Sequence, residues 1–139
     1  MIHIDNTTEV SLDVALLEEI TNKFTSKDIE LLIIDSQQMQ EINLEQRGFD
    51  KTTDVLSFPL DEMPHTPLGC IVINSELSQQ KAQEFGHSLT QELTLMYIHG
   101  LLHVIGYDHE SDEGQMRAKE EELISEFNLP QSLIVRMGE

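Results

Sequence analysis

The sequence predicts an α+β fold, in which a mixed four-stranded sheet packs with about five helices. The 139 residues, 15.9 kDa, correspond to one domain of ordinary size, and no repeat or low-complexity linker divides them. The apolar residues change between strand and helix periodicity in the order βαβαββααα. Because strands and helices do not alternate strictly, this order favours a mixed sheet over a purely parallel one.

The first half of the chain predicts two helices between strands. Residues 2–5 alternate like a short edge strand, and Ser11 is the expected cap of the first helix. Residues 29–35 are apolar on both faces, which is typical of a central strand. Ser36 is expected to cap a short second helix that ends before Arg47. The apolar positions at helical spacing are Leu12, Leu16, Leu17, Ile20 and Phe24 in the first helix, and Met39 and Ile42 in the second.

Two further strands and a third helix follow. Residues 54–58 predict a strand that Pro59 ends, because proline has no backbone N–H to donate. Residues 68–73 predict a fourth strand after a loop that contains three prolines. Ser75 is expected to cap a helix that ends at Gly86.

The last two helices differ in character. Ser88 and Gln91 have capping-box spacing, and the helix they begin runs to about Ile105, with Gly106 as its stop. This helix is apolar around most of its circumference, so it is expected to be buried at the centre of the fold. Residues 112–127 predict an amphipathic helix. Its expected inward positions are Met116, Leu123, Ile124 and Phe127, and its expected solvated positions are Glu120, Glu121, Glu122 and Glu126.

Charge and composition limit the function. Eight Lys and Arg residues against 26 Asp and Glu residues give a net charge of −18 and a pI near 4.4, so the surface as a whole repels nucleic acid. The lone Cys70 excludes a disulfide scaffold.

No apolar run is long enough to span a membrane and no signal peptide is visible, so we expect a cytoplasmic protein without a membrane partner.

Three histidines have the spacing of metal ligands. His99 and His103 are four residues apart, so on a helix they project from one face. Gly106 permits the positive φ that turns the chain back, and His109 can then approach the same point. Three neutral imidazoles suit one Zn²⁺ ion per chain, with Ni²⁺ or another divalent transition metal as alternatives. The remaining histidines, His3, His65 and His87, are interpreted as ordinary core or surface residues.

Three protein ligands rather than four favour a catalytic site over a structural one, since a position stays open for water. Cys70 is a weaker candidate for a fourth ligand, because a lone cysteine in a strand commonly packs as a small apolar residue. The same spacing occurs in metzincin proteases, which place a glutamate base directly after the first histidine, but here that position is Gly100. Asp108 is a candidate base or partner of a metal ligand, or an ordinary turn residue.

Two motifs resemble one family closely. Residues 99–109, HGLLHVIGYDH, resemble the HGxLHLxGYDH signature of the bacterial YbeY family, whose members are rRNA maturation factors and single-strand-specific endoribonucleases. Asn43 and Arg47, followed by TDVLSFP at residues 53–59, resemble a second family motif. Residues 68–73 resemble a third, except that Cys70 stands where the family usually has aspartate. The resemblance covers essentially residues 30–125.

The resemblance implies a single metal-dependent hydrolase domain over residues 1–139. It implies zinc ligands at His99, His103 and His109 and a functional arginine at Arg47. Asp108 is a candidate catalytic residue because of its place beside the third ligand, independently of the resemblance. It further implies cleavage of single-stranded RNA, 16S rRNA 3′-end maturation, ribosome quality control and action with the small ribosomal subunit or its proteins. The departure at Cys70 puts in doubt any role of the carboxylate found there in the family.

Two other functions stay open on the sequence. One is a metal hydrolase with a substrate other than RNA, and the other is a non-catalytic ribosome assembly factor with a structural metal. A net charge of −18 predicts weak binding to RNA by the protein alone, so a protein partner is expected to deliver the substrate. Lys51 could extend the charge of Arg47, although it is more simply interpreted as a surface lysine. The sequence does not determine the oligomeric state.

Overall fold

The structure, a computed structural model, describes residues 1–60, 66–108 and 111–130. Within these ranges it contains four strands and five helices, in the predicted order. The elements are β1 (Ile2–Asn6), α1 (Val14–Asn22), β2 (Ile29–Ile34), α2 (Ser36–Arg47), β3 (Val55–Pro59), β4 (Gly69–Asn74), α3 (Ser75–Phe85), α4 (Leu89–Val104) and α5 (Gln115–Glu126).

The sheet is mixed, as predicted. Its strand order is β1-β2-β4-β3, with β1 parallel to β2, β2 parallel to β4 and β3 antiparallel to β4. The expected edge position of β1 and the interior position of β2 are both confirmed. The second edge is β3, and its last residue is Pro59, which was expected to lie just after the strand. Proline is tolerated there because an edge strand needs only half of its hydrogen bonds.

The two faces of the sheet carry different helices. On one face, Leu31 and Ile71 belong to the main core with side chains of α1, α4 and α5. On the other face, Val72 and Leu56 form a smaller cluster with Met39 of α2. Because strand residues alternate between faces, α4 and α2 lie on opposite sides of the sheet.

Helix α4 is the buried centre of the main core, as its apolar circumference predicted. Eleven of its sixteen residues are buried, among them Tyr97, whose hydroxyl lies 2.6 Å from the hydroxyl of Thr21 in α1. Gly100 brings the helix close to the sheet, because a Cβ atom at this position would come within 2.7 Å of the Ile71 side chain. A glutamate base at position 100 is therefore excluded by packing.

Three of the predicted helix caps are wrong by one or two residues. Asp13, Asp35 and Asn74 cap α1, α2 and α3, where the sequence favoured the serines at 11, 36 and 75. Each observed cap accepts a hydrogen bond from a backbone N–H in the first turn, the role for which Asp and Asn are as suitable as Ser. The Ser88 and Gln91 capping box of α4 is confirmed.

Helix α5 begins three residues later than predicted. The Asp112 carboxylate accepts hydrogen bonds from the backbone N–H groups of Gly114 and Met116, and Gly114 has φ 100°. These contacts hold residues 112–114 in a turn instead of a helical conformation.

No helix in the described ranges is long and apolar enough to cross a membrane.

Candidate functional site

A cleft of about 550 Å³ lies along the β3 edge of the sheet. Helix α2 and helix α4 pack on opposite faces of the sheet, so side chains from both can meet only where the sheet ends. The C-terminal end of α2 and the histidine face of α4 meet there. The lining residues are Gln46, Arg47, Asp54, Val55, Leu56, Ser57, Phe58, His99, His103 and Asp108.

His99 and His103 project together into this cleft, as their helical spacing predicted. Their ring centroids are 4.8 Å apart with an interplanar angle of 75°, and both side chains are half-buried. This arrangement places two imidazoles one helical turn apart on a rigid helix. His109, the third predicted ligand, lies outside the described residues, as does His65.

Glu120 is a site residue that the sequence analysis missed. It was expected on the solvated face of α5, but it is buried, and its Oε1 atom lies 3.2 Å from Nδ1 of His99. Since an ionised carboxylate only accepts hydrogen bonds, this contact favours the tautomer with the proton on Nδ1 and the lone pair on Nε2. The signal was present in the sequence, because Glu120 is four residues from both Met116 and Ile124 and shares their face.

Arg47 is the last residue of α2, whereas the sequence predicted a helix that ends before it. Gly48 follows with φ 77° and ends the helix, because glycine adopts this conformation without steric cost. The exposed Arg47 side chain lines the cleft, and it has no ion pair with a carboxylate of the described residues. It is therefore available to an anion in the cleft.

Asp108 lines the cleft on the side of the α4 terminus. Its side chain is exposed, and its Oδ2 atom accepts a hydrogen bond of 3.0 Å from the Ser111 hydroxyl. Its backbone carbonyl also accepts hydrogen bonds from the N–H groups of Ser111 and Asp112. Asp108 is thus both a turn residue and a carboxylate at the site, two roles that the sequence left open.

Comparison with known proteins agrees with these motifs. The family model described as Endoribonuclease YbeY matches residues 2–128. The chain belongs to the YbeY family. It is 54% identical over 136 residues to "Endoribonuclease YbeY" of Nautilia profundicola, covering 98% of both chains. It is 58% identical over 121 residues to the Campylobacter jejuni protein of the same name, covering 86% of this chain and 90% of that one.

A solved structure agrees with the fold. The solution structure of TM1509 from Thermotoga maritima matches with a TM-score of 0.61 and 28% sequence identity, covering 92% of both chains. The α+β arrangement predicted from the sequence is therefore confirmed by a protein whose structure was determined independently.

Asn74 explains how the second YbeY motif is held beside the cleft. Its buried side-chain amide donates hydrogen bonds to the hydroxyls of Ser36 and Thr52 and to the backbone carbonyl of Thr53. Its backbone N–H donates to the carbonyl of Asp54. One buried residue therefore fastens the segment before β3 to the beginnings of α2 and α3. The apolar run that predicts β4 stops at residue 73, so no local pattern indicates a role for Asn74.

Cys70 lies on the face of the sheet away from α4. It packs with the cluster around Met39 and pairs with Glu30 in the neighbouring strand. Burial raises the pKa of the Cys70 thiol to about 11, and the Glu30 carboxylate adds to this effect. Its position on the face opposite the histidines argues against Cys70 as a fourth metal ligand. Cys70 is thus a packing residue of the α2 face.

Proposed function

We propose that this YbeY-family chain is a zinc-dependent endoribonuclease that cleaves single-stranded RNA. We further propose that it acts in the cytoplasm in 16S rRNA 3′-end maturation and ribosome quality control, with the small ribosomal subunit or its proteins as partner. The name of its relatives, endoribonuclease, supports the reaction class. The observation that carries the proposal is the meeting of two histidines and one arginine in a single cleft.

Residues 1–60, 66–108 and 111–130 contain no group of three His, Cys, Asp or Glu side chains arranged to hold a metal, but two imidazoles, ligands that zinc prefers, share the cleft. His99 and His103 would hold it, with His109 as the third ligand by sequence. The contact of His99 with Glu120 supports this role, because metal-binding histidines usually hold their second ring nitrogen against a carboxylate or carbonyl. When bound, Zn²⁺ supplies Lewis acidity and lowers the pKa of water toward 7.

Arg47 would hold the scissile phosphate. A phosphodiester gains negative charge as it is attacked, and a guanidinium neutralises this charge and fixes two oxygens at once. Arg47 of α2 and the two histidines of α4 line the same cleft, so a phosphate bound in that cleft has both a guanidinium and the candidate metal ligands in its surroundings. The net charge of −18 repels a polyanionic substrate overall, so this local cation supplies the attraction that a phosphate in the cleft needs.

Asp108 would accept a proton from the attacking water and return it to the leaving oxygen. Its carboxylate lines the same cleft and is oriented by the Ser111 hydroxyl, while its exposure keeps it in exchange with solvent. A carboxylate with these properties is suited to general base catalysis, provided that it lies within hydrogen-bond reach of the attacking water.

The direct test is cleavage by the purified, zinc-loaded chain of three substrates: single-stranded RNA, duplex RNA of the same sequence and an unstructured peptide. We expect cleavage of the single-stranded RNA alone, and loss of cleavage on chelation. Peptide cleavage would favour the alternative hydrolase, which would need a base other than the glutamate that metzincins place at the position of Gly100. Global unfolding on chelation, without RNA cleavage, would favour the assembly factor with a structural metal.

A further inference from the structure

Phe49 is the only exposed side chain among the Phe and Tyr residues of the protein. All seven Phe and Tyr residues lie in the described ranges, and the other six are buried or half-buried. Phe49 is 49% exposed. A single exposed apolar side chain is common on protein surfaces, so the meaning of this ring depends on its neighbours.

Two cations flank this ring. The guanidinium carbon of Arg47 lies 5.4 Å from the ring centroid of Phe49, and Nζ of Lys51 lies 5.6 Å from it. Of the seven Lys and Arg residues in the described ranges, four form ion pairs with carboxylates, namely Lys23, Lys81, Arg117 and Lys119. Neither Arg47 nor Lys51 does so with any carboxylate of those ranges. Positive charge that is scarce elsewhere is thus concentrated around one aromatic ring.

The segment that carries Phe49 is fastened to α2. The buried Asn43 side chain donates a 2.9 Å hydrogen bond to the backbone carbonyl of Lys51, and the Phe49 N–H donates to the Asn43 carbonyl. Gln40 donates to the Asp50 carboxylate, which turns that negative charge toward α2. The ring is therefore presented by an ordered turn, so little conformational entropy is lost when it binds a ligand.

We propose that Phe49 is a stacking platform for an unpaired RNA base at the Arg47 end of the cleft. This inference rests on the proposed function and adds a reason for preference for single strands. Every base has a flat π-face, and stacking on an aromatic side chain is a common means of binding single-stranded nucleic acid. An exposed cation–ring contact is weaker than base stacking, so a base displaces the cations, which then face the flanking phosphates. In a duplex the base faces are covered, so this contact is not available.

The test compares Phe49→Ala, Phe49→Leu and Phe49→Trp for binding to a short single-stranded RNA. We expect affinity to fall about tenfold for both the Ala and the Leu variants and to be retained by Trp, because only an aromatic ring stacks. Affinity for duplex RNA should not change. If the Leu variant binds RNA as the wild type does, Phe49 acts only as an apolar contact and the proposal is wrong.

Phe49→Trp also supplies a direct signal, because the chain has no tryptophan. Its emission should be quenched by single-stranded RNA, but not by an abasic oligonucleotide of the same length, which keeps the phosphates and lacks the bases. Equal quenching by both oligonucleotides would overturn the proposal. If the wild-type chain neither binds nor cleaves RNA, the proposed function itself is wrong. If the wild type is active and the Phe49 variants bind RNA equally well, only the stacking role of Phe49 is wrong.

Discussion

Nδ1 of His99 lies 3.2 Å from the Oε1 atom of Glu120, and this contact joins the central helix α4 to α5. Glu120 is 5% exposed, and its neighbours in α5 include the fully buried Leu123 and Ile124. Burying a carboxylate is costly unless it is hydrogen-bonded. The contact with His99 offsets this cost, and it also orients the imidazole ring and selects its tautomer.

Glu120→Gln should weaken zinc binding by about tenfold or more, because the neutral amide holds the imidazole less strongly. Competition with a chromophoric chelator measures this affinity, and circular dichroism reports the fold. Glu122→Gln is the matched control, since it makes the same change at an exposed position of the same helix. Equal zinc affinity of the two variants would show that Glu120 does not position His99.

His103→Ala should abolish stoichiometric zinc binding while leaving most of the fold intact. The half-buried imidazole faces the cleft, whereas the core contacts of α4 are made by its apolar residues. Metal analysis and thermal melting of the same preparation check both parts of this expectation. Full retention of zinc by the variant would remove His103 from the metal site.

Arg47→Ala should lower cleavage of single-stranded RNA by on the order of a hundredfold or more, because the phosphate loses its guanidinium partner. Arg47→Lys should recover only part of the activity, since an ammonium is a point charge that cannot bind two oxygens in a plane. Zinc content should not change, and stability should change by only about 0.5 kcal/mol, as is usual for a surface residue.

Lys27→Ala is the control for Arg47→Ala, because it removes the same charge outside the cleft lining. Equal activity of the two variants would mean that Arg47 acts only through net charge. A loss of zinc or of melting temperature in Arg47→Ala would instead make its role structural.

His87→Ala should destabilise the fold by on the order of 3 kcal/mol, because it removes a hydrogen-bond partner of a buried carboxylate. His87 Nε2 lies 2.9 Å from Glu92 Oε1, and the two side chains are 1% and 0% exposed. Thermal melting at neutral pH measures the effect. The comparison is His3→Ala, whose partner Asp28 is largely solvated, and for which we expect a much smaller change in melting temperature. A similar, small change in both variants would contradict the prediction.

Cys70 should react slowly with alkylating reagents in the folded protein, because a thiol with a pKa of about 11 is almost wholly protonated near neutral pH. The unfolded chain loses this proton first, near the ordinary pKa of 9.0, so this group makes the free energy of unfolding fall as pH rises from 9.0 toward 11. Alkylation rates across this range, with and without denaturant, test the shift. Glu30→Gln should lower the pKa and speed the reaction of the folded protein.

Patterns confined to neighbouring residues were sufficient for much of the fold. Helical spacing placed His99 and His103 on one face, and the Ser88 and Gln91 spacing located the start of α4. The apolar circumference of α4 predicted its burial. These features depend on backbone geometry within one element, which residue spacing expresses directly.

The composition of the cleft depended on the order of the strands instead. Arg47 and His99 lie on helices that pack on opposite faces of the sheet, and they meet because β3 is an edge strand, a position that local periodicity does not encode. The contact of Glu120 with His99, which is 21 residues away on another helix, also depends on how the helices pack. The face of the sheet on which Cys70 lies depends on the register of its strand with β2. The sequence by itself thus determined which elements form and which side chains share a face. Only the tertiary structure decided which faces meet, because that depends on packing between segments far apart in the chain.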